Sequence, residues 1–198
     1  MSGLILASGS ATRAAMLRAA GLTFAQVRPP YDEEAGKQCL RNGGTDIAGQ
    51  VLALAHAKAQ VVSMAHPEAL VIGADQMLEC GGVAFDKPQN LEEAASHLKN
   101  LSGRTHRLHT GAVLLQGGEH IWSHLEAPAL KVRPLSAGFV AGYLAAMGER
   151  ALQSPGAYQI EGLGAQLFSG IEGDWFAILG LPLLPLLEEL RRLGFAQL

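Results

Sequence analysis

The sequence predicts an α/β fold: a long mixed β-sheet flanked by helices, with two lobes around a central cleft. Apolar strand-like runs alternate with helical segments along the 198 residues. Gly-Gly pairs at 81–82 and 117–118 predict hairpins, so the sheet should be mixed rather than purely parallel. Apolar residues make up 48% of the chain, which supplies a sizeable core. We therefore expect residues 1–198 to form a single domain.

The first part of the chain predicts strands and helices in alternation. Serine, threonine and aspartate mark the expected helix starts, and glycine or proline marks the expected ends. In order, the predicted segments are a strand at 3–8, a helix from Ser10 to Gly21, a strand at 23–30, a polar loop at 31–44, and a long helix from Thr45 or Asp46 to just before Pro67.

The second part of the chain adds the hairpins. Asn90 with Glu93 three residues later is a capping-box pattern, which indicates a helix start. In order, the predicted segments are a strand at 69–75, a hairpin at 77–85, a helix at 90–103, two long strands across 105–133, a helix from Ser136 to about Met147, a strand pair around Gly173-Asp174, and a helix at 183–194.

Composition excludes several classes of partner. The formal net charge is −3 and the pI is about 6.1, so nothing attracts nucleic acid or an anionic membrane in general. The N-terminal apolar run, residues 4–7, is too short for a signal peptide, and no run is long enough to span a membrane. Cys39 and Cys80 do not form a disulfide framework. We expect a cytoplasmic protein that holds small anions through a few local cations.

The stretch SGSATR predicts an anion site where a strand ends and a helix begins. The first N–H groups of a helix have no partners in that helix, and the helix dipole adds positive charge there. Ser8 and Ser10 add hydroxyl donors, and Arg13 adds a planar cation. The alternative is an ordinary capped helix with a solvent-facing arginine.

Acidic and basic residues elsewhere are candidates for the same chemistry. Asp75 closes the apolar run LVIGA, and ligands of open α/β sheets lie beyond the carboxyl ends of strands. Lys87, before a proline, could face phosphate, Glu33 could be a second metal ligand, and Lys58 lies on an apolar helix face. The alternatives are a turn cap for Asp75, solvation for Lys87 and Glu33, and a snorkelling side chain for Lys58.

Eight motifs in order resemble the Maf family of nucleoside triphosphate pyrophosphatases. They are LASGSATR, YDE, AHAKA, VIGADQ, DKP, LSGRTH, GAYQIEG and GDWFAILGLPL, and together they span nearly the whole chain. The resemblance implies an inosine-triphosphatase-like fold, often a homodimer. It also implies metal-dependent hydrolysis of a nucleoside triphosphate to the monophosphate and pyrophosphate.

The resemblance also implies roles for single residues. The proposed base falls on Asp75, and Glu33 and Asp75 would hold Mg²⁺ or Mn²⁺. The phosphate-binding positions of the family fall on Ser8, Ser10, Arg13, Lys58 and Lys87. These cations and the metal would offset charge that develops on the departing pyrophosphate.

Three positions that separate branches of the family are Thr12, Gln76 and Glu161 here. The branch resembling 7-methyl-GTP hydrolases has Trp, Gln and Glu at these positions, and the branch resembling dTTP/UTP hydrolases has Arg, Thr and Gln. The chain matches the first branch at Gln76 and Glu161, but Thr12 cannot stack on a methylated base as an aromatic ring would. We therefore expect a 7-methyl-GTP-like substrate. A dTTP/UTP-type or broad specificity and a non-catalytic nucleotide-binding regulator of septum formation are the alternatives.

Overall fold

A computed structural model describes residues 3–196 and confirms the α/β class. The strands within these residues are β1 Leu4–Ala7, β2 Ala25–Val27, β3 Leu70–Cys80, β4 Val83–Phe85, β5 Thr105–Gln116, β6 Glu119–Glu126, β7 Ala129–Val132 and β8 Phe168–Glu172. The helices are α1 Ala11–Ala19, α2 Glu33–Asn42, α3 Ile47–Ala65, α4 Leu91–Leu101, α5 Ala137–Met147, α6 Trp175–Ile178 and α7 Leu183–Arg192, with 3₁₀ helices at Gly148–Gln153 and Leu163–Leu167. Within residues 3–196, no helix combines the length and apolar character needed to cross a bilayer.

The sheet is mixed, as predicted. Strands run in the order β2-β1-β3-β5-β7-β8, with β4 added to β3 and β6 added to β5. β1 pairs in parallel with β2 and β3, whereas β3/β4, β5/β6, β5/β7 and β7/β8 are antiparallel. The predicted hairpin around Gly81-Gly82 is the β3/β4 pair, in which Cys80 lies opposite Val83.

The chain divides into two compact units. The first unit contains the chain up to Gln76, His109–Glu126 and the chain from Asp174; the second contains Met77–Leu108 and Ala127–Gly173. Strands β3 and β5 each contribute residues to both units. The division is consistent with the predicted lobes, and the cleft between them stays a prediction.

In the first unit, the two faces of the sheet bury different clusters. One face packs Leu6, Ile72 and Leu114 with residues of α1 and α7. The other face packs Val71 and Val113 with residues of α3. Side chains alternate along a strand, so within residues 70–76 of β3 the odd-numbered residues face α3 and the even-numbered ones face α1 and α7.

The predicted helix starts are confirmed by their caps. Ser10, Asp46, Asn90 and Ser136 each accept a hydrogen bond from the backbone N–H three residues later. The capping box at α4 differs in one detail, because the Glu93 carboxylate accepts from the N–H of Gln89 rather than from that of Asn90.

Three sequence predictions are wrong. Residues 31–44 are not a loop, because Asp32 caps the polar helix α2, whose first turn carries Glu33 and Glu34. The expected strand at 119–133 is interrupted at Ala127-Pro128, which separates β6 from β7. The expected strand pair around Gly173-Asp174 is instead the end of β8 followed by α6, because the Asp174 carboxylate caps that helix at Ala177 N, 2.6 Å away.

Candidate active site

The start of α1 forms the predicted strand–helix junction. The Ser10 hydroxyl accepts from the Arg13 N–H at 3.3 Å and so caps the helix. The buried Ser8 hydroxyl accepts from the Ser10 N–H at 3.2 Å and from Arg13 Nη1 at 3.2 Å. Both serines therefore stabilise this turn, and Ser8 also holds the Arg13 side chain.

Arg13 is held by backbone carbonyl groups as well as by Ser8. Its Nη1 donates to Ala74 O at 2.9 Å, and its Nε donates to Gly180 O at 2.7 Å. Burial lowers the pKa of Arg13, although the negative charges of Asp75 and Glu33 act to raise it. The guanidinium stays charged because its ordinary pKa is so high. Its Nη2 has no partner among the described residues, so this nitrogen is available to an anion.

Lys58, Asp75 and Glu33 form the charged centre of the first unit. Lys58 Nζ lies 2.6 Å from Asp75 Oδ1 and 2.6 Å from Glu33 Oε2. Lys58 and Asp75 are 8% and 4% exposed, so this ion pair is shielded from solvent. The alternative of a snorkelling side chain for Lys58 is therefore wrong. Glu33 is partly solvated, with 45% of its side chain exposed, while it contacts Lys58.

The second carboxylate of this cluster is held in its charged form. Burial alone would raise the pKa of Glu33, but the charge and hydrogen bond of Lys58, followed by those of Lys37, outweigh it and lower the pKa to about 2. Lys37 lies one helical turn further along α2, with its Nζ 3.2 Å from Glu33 Oε1. Lys37 was not among the candidate residues.

Helix α3 approaches β3 closely enough for this ion pair because residue 73 has no side chain. A Cβ atom on Gly73 would lie 2.7 Å from Ala59 Cβ and would collide with the carbonyl oxygen of Ala55. Lys58 and Asp75 are placed together by this contact between helix and strand. The motif letters alone gave no indication of this role for Gly73.

The carboxylates fit a divalent cation that a substrate would help to ligate. Asp75 Oδ2 is buried with no hydrogen-bond partner, although the other carboxylate oxygen contacts Lys58. Glu33 keeps 45% of its side chain exposed. No three His, Cys, Asp or Glu side chains in residues 3–196 group as a complete metal site. Mg²⁺ commonly uses one or two carboxylates together with water and substrate phosphates, and the Glu33–Asp75 pair provides such a set.

Gln76 lies on the opposite face of β3 from Asp75. Its Nε2 donates to Thr110 Oγ1 at 2.8 Å and contacts the carbonyl oxygens of Ala177 at 2.9 Å and Ile178 at 3.2 Å. Thr110 was not a candidate residue, and no pattern in the sequence indicated that it would contact Gln76.

The remaining candidates, Thr12, Lys87 and Glu161, do not contact the Lys58–Asp75–Glu33 cluster within the first unit. Thr12 is exposed on α1 of the first unit. Lys87 and Glu161 belong to the second unit, and both are exposed. Lys87 follows β4 and Glu161 precedes the second 3₁₀ helix. Their participation stays a prediction.

The chain is similar to known proteins over nearly its whole length. The family model described as "Maf-like protein" matches residues 3–193. The 7-methyl-GTP pyrophosphatase of Rhizobium meliloti (strain 1021) is 50% identical over 191 residues, 96% of each chain. The nucleoside triphosphate pyrophosphatase of Hyphomonas neptunium is 50% identical over 186 residues, 94% of this chain and 93% of the relative. The 7-methyl-GTP pyrophosphatase of Brucella abortus is 45% identical over 189 residues, 96% of this chain and 95% of the relative.

Proposed function

Because the chain belongs to the Maf family, we propose that it hydrolyses a nucleoside triphosphate to the nucleoside monophosphate and pyrophosphate. The observation that carries this proposal is the Lys58–Asp75–Glu33 cluster, in which a buried cation lies between two carboxylates. Arg13 belongs to the same unit and has a guanidinium nitrogen available to an anion. Carboxylates and cations in one place suit an anionic substrate attacked by water.

The cations serve to bind and stabilise the polyphosphate. Arg13 binds a phosphate oxygen through Nη2, while the start of α1 adds the positive end of its dipole. Lys58 offsets the charge that develops on the pyrophosphate as the bond between the α- and β-phosphates breaks. Lys87 is proposed as a further phosphate ligand from its motif, DKP.

Asp75 is proposed as the general base. Its unpartnered Oδ2 accepts a proton from the attacking water, whose oxygen forms the new bond to phosphorus while pyrophosphate departs. Glu33 and Asp75 would hold Mg²⁺ or Mn²⁺, which would neutralise charge on the phosphates when bound. The proton transfer assigned to Asp75 uses only this side chain and water.

The proposed substrate is 7-methyl-GTP or a similar modified nucleotide. Gln76 and Glu161 support it, because the branch that resembles 7-methyl-GTP hydrolases carries the same two residues. A broad-specificity enzyme is the second candidate, because Thr12 replaces the aromatic residue of that branch. Relatives of both printed names are 50% identical to the chain, so identity does not separate the two. A cytoplasmic location and a homodimer are part of the proposal.

A substrate panel tests the proposal. The protein is incubated with 7-methyl-GTP, GTP, dTTP, UTP, CTP and ATP, each with Mg²⁺, with Mn²⁺ and with chelator, and pyrophosphate and monophosphate are quantified. We expect equimolar monophosphate and pyrophosphate, dependence on the divalent cation, and the highest kcat/KM for 7-methyl-GTP. Similar kcat/KM for all bases would favour the broad enzyme. Tight nucleotide binding without turnover would favour the regulatory alternative.

A further inference from the structure

Gln76 uses its donor nitrogen entirely inside the first unit. Its Nε2 has three oxygen neighbours within hydrogen-bond distance, two of which are backbone carbonyl groups of α6. Carbonyl oxygens accept only, so rotating the amide would place Oε1 against two other acceptors. The orientation of this amide is therefore fixed, and its NH₂ group is not available to a nucleotide base.

Thr110 completes the same network from the neighbouring strand. Its hydroxyl donates to Ala177 O at 2.9 Å, so its oxygen is left to accept from Gln76 Nε2 at 2.8 Å. Thr110 is fully buried. Gln76 on β3 and Thr110 on β5 thus attach the carbonyl groups of α6 to the sheet.

The segment that these bonds hold, residues 177–180, ends at Gly180, which is a hydrogen-bond partner of Arg13. The carbonyl oxygen of Gly180 accepts from Arg13 Nε at 2.7 Å, and its backbone φ of +106° is one that residues with a side chain rarely adopt. Arg13 also contacts the carbonyl of Ala74, two residues before Gln76 on β3. The two sides of the guanidinium are therefore set by β3 and by the segment that Gln76 and Thr110 attach to it.

We propose that Gln76 and Thr110 are positioning residues that orient Arg13 toward the polyphosphate through residues 177–180, and that Gln76 is not primarily a reader of the base. This inference rests on the proposed function, in which Arg13 binds phosphate. It differs from the role that the branch comparison implied for Gln76. Gln76 and Asp75 point to opposite faces of β3, so the residue next to the proposed base acts through the scaffold of the site.

Inorganic tripolyphosphate separates the two roles, because it carries the phosphates of the substrate without a base. Its dissociation constant is measured by calorimetry in the presence of Mg²⁺ for the wild type and for Gln76→Met, Thr110→Val and Thr110→Ser. We expect Thr110→Val to weaken binding by roughly three- to tenfold, because both hydrogen bonds of its hydroxyl are lost. Gln76→Met should weaken binding by about tenfold or more, because it loses all three contacts of the amide nitrogen. Thr110→Ser keeps the hydroxyl and should bind like the wild type.

Turnover provides the second readout. For Gln76→Met, kcat/KM should fall by a similar factor for 7-methyl-GTP and for UTP, so that their ratio stays within about threefold of the wild-type ratio, as expected for a phosphate-side defect. Leu190→Ala is the control for general destabilisation, because Leu190 is buried in the same unit and has no hydrogen bond to Gln76, Thr110 or Arg13 among the described residues. It should lower the melting temperature and leave the tripolyphosphate affinity unchanged.

Each alternative result has a distinct meaning. A base reader would change the 7-methyl-GTP to UTP ratio more than tenfold and leave tripolyphosphate binding intact, and this would overturn the inference. Should Gln76→Met fail to fold, wild-type tripolyphosphate affinity in Thr110→Val would overturn it equally. If Arg13→Ala binds tripolyphosphate as tightly as the wild type, the proposed role of Arg13 fails, which is separable from failure of the positioning step.

Discussion

The first unit buries a charged pair of side chains, whereas the second unit buries a neutral pair. In the first unit, Lys58 and Asp75 are a buried ion pair, and Asp75 Oδ2 has no hydrogen-bond partner. In the second unit, His106 and Tyr158 share a 2.7 Å hydrogen bond, and His106 Nδ1 has no partner. An unpartnered oxygen on a charged group costs far more free energy than an unpartnered nitrogen on a neutral ring. We infer that the Lys58–Asp75 site binds a ligand and that the His106–Tyr158 pair stabilises the fold.

The second unit uses its neutral pair to hold the GAYQIEG segment. Burial lowers the pKa of His106 to about 4 and raises the pKa of Tyr158, so both are uncharged at neutral pH. The Tyr143 hydroxyl donates to Ala157 O, and Ser154 bonds both the N–H and the carbonyl of Tyr158. These bonds hold Ala157 at a φ of +57°, a conformation that costs free energy in a residue with a side chain.

The largest expected effect is on turnover, from Asp75→Asn. The amide keeps the shape of the carboxylate but cannot accept the proton, so kcat should fall by about 100-fold or more while the protein stays folded. Tyr158→Phe is the matched change in the second unit, since it also alters one buried polar group and removes its hydrogen bond with His106. It should lower the free energy of unfolding by about 1–2 kcal/mol and change kcat less than about threefold. Wild-type kcat in Asp75→Asn would refute the distinction between the two units.

The next effect is on pH dependence, and it belongs to the second unit. The pKa of His106 is 6.5 when unfolded and about 4 when folded, so between these values the unfolded state binds more protons. Stability contributed by the neutral ring is complete above 6.5 and is lost as the pH falls toward 4; the shift corresponds to about 3 kcal/mol. Urea unfolding across this range should show less pH dependence in His106→Gln than in the wild type. If the free energy of unfolding changed with pH equally in His106→Gln and in the wild type, the ring of His106 would not be held neutral by the fold.

Gly73→Ala tests whether the charged cluster depends on the close approach of α3 to β3. The new methyl group would lie 2.7 Å from Ala59 Cβ, so the helix must move away from the strand. Overpacking of this kind costs about 1–3 kcal/mol. Because Lys58 and Asp75 lie on the two separating elements, kcat should fall along with stability. A variant that loses stability but keeps wild-type kcat would show that the ion pair tolerates the displacement.

The sequence predicted the parts of these sites but not their contacts. Helix caps were predictable because a cap is a local bond, as at Ser10 and Asn90. The Lys58–Asp75 pair joins residues 17 apart on a helix and a strand, and nothing in either segment specifies that packing. The motif resemblance identified both residues without their geometry. Helix α2 was missed because most of its residues are polar and none of them is buried.

Gln76 is a second case in which the sequence identified a residue but not its contacts. The branch comparison implied a role in substrate specificity for Gln76, which follows the proposed base Asp75 in the sequence. Strand geometry points the two side chains to opposite faces, and the hydrogen bonds of Gln76 are made to residues 34, 101 and 102 positions away. Such contacts follow from tertiary packing alone, so Thr110 carried no sequence signal.

The smallest expected effect is that of Lys37→Met, on the side of the charged cluster away from Lys58. Lys37 contacts the oxygen of Glu33 that does not face Lys58, and Lys58 contributes more to the lowered pKa of Glu33. Loss of Lys37 should therefore leave Glu33 ionised, cost less than about 1 kcal/mol of stability and change kcat less than about threefold. Lys58→Met should cost more in both measurements, because it leaves the buried Asp75 charge unpaired. Equal kcat losses in the two variants would mean that the whole set of charges, rather than the buried pair, carries the chemistry.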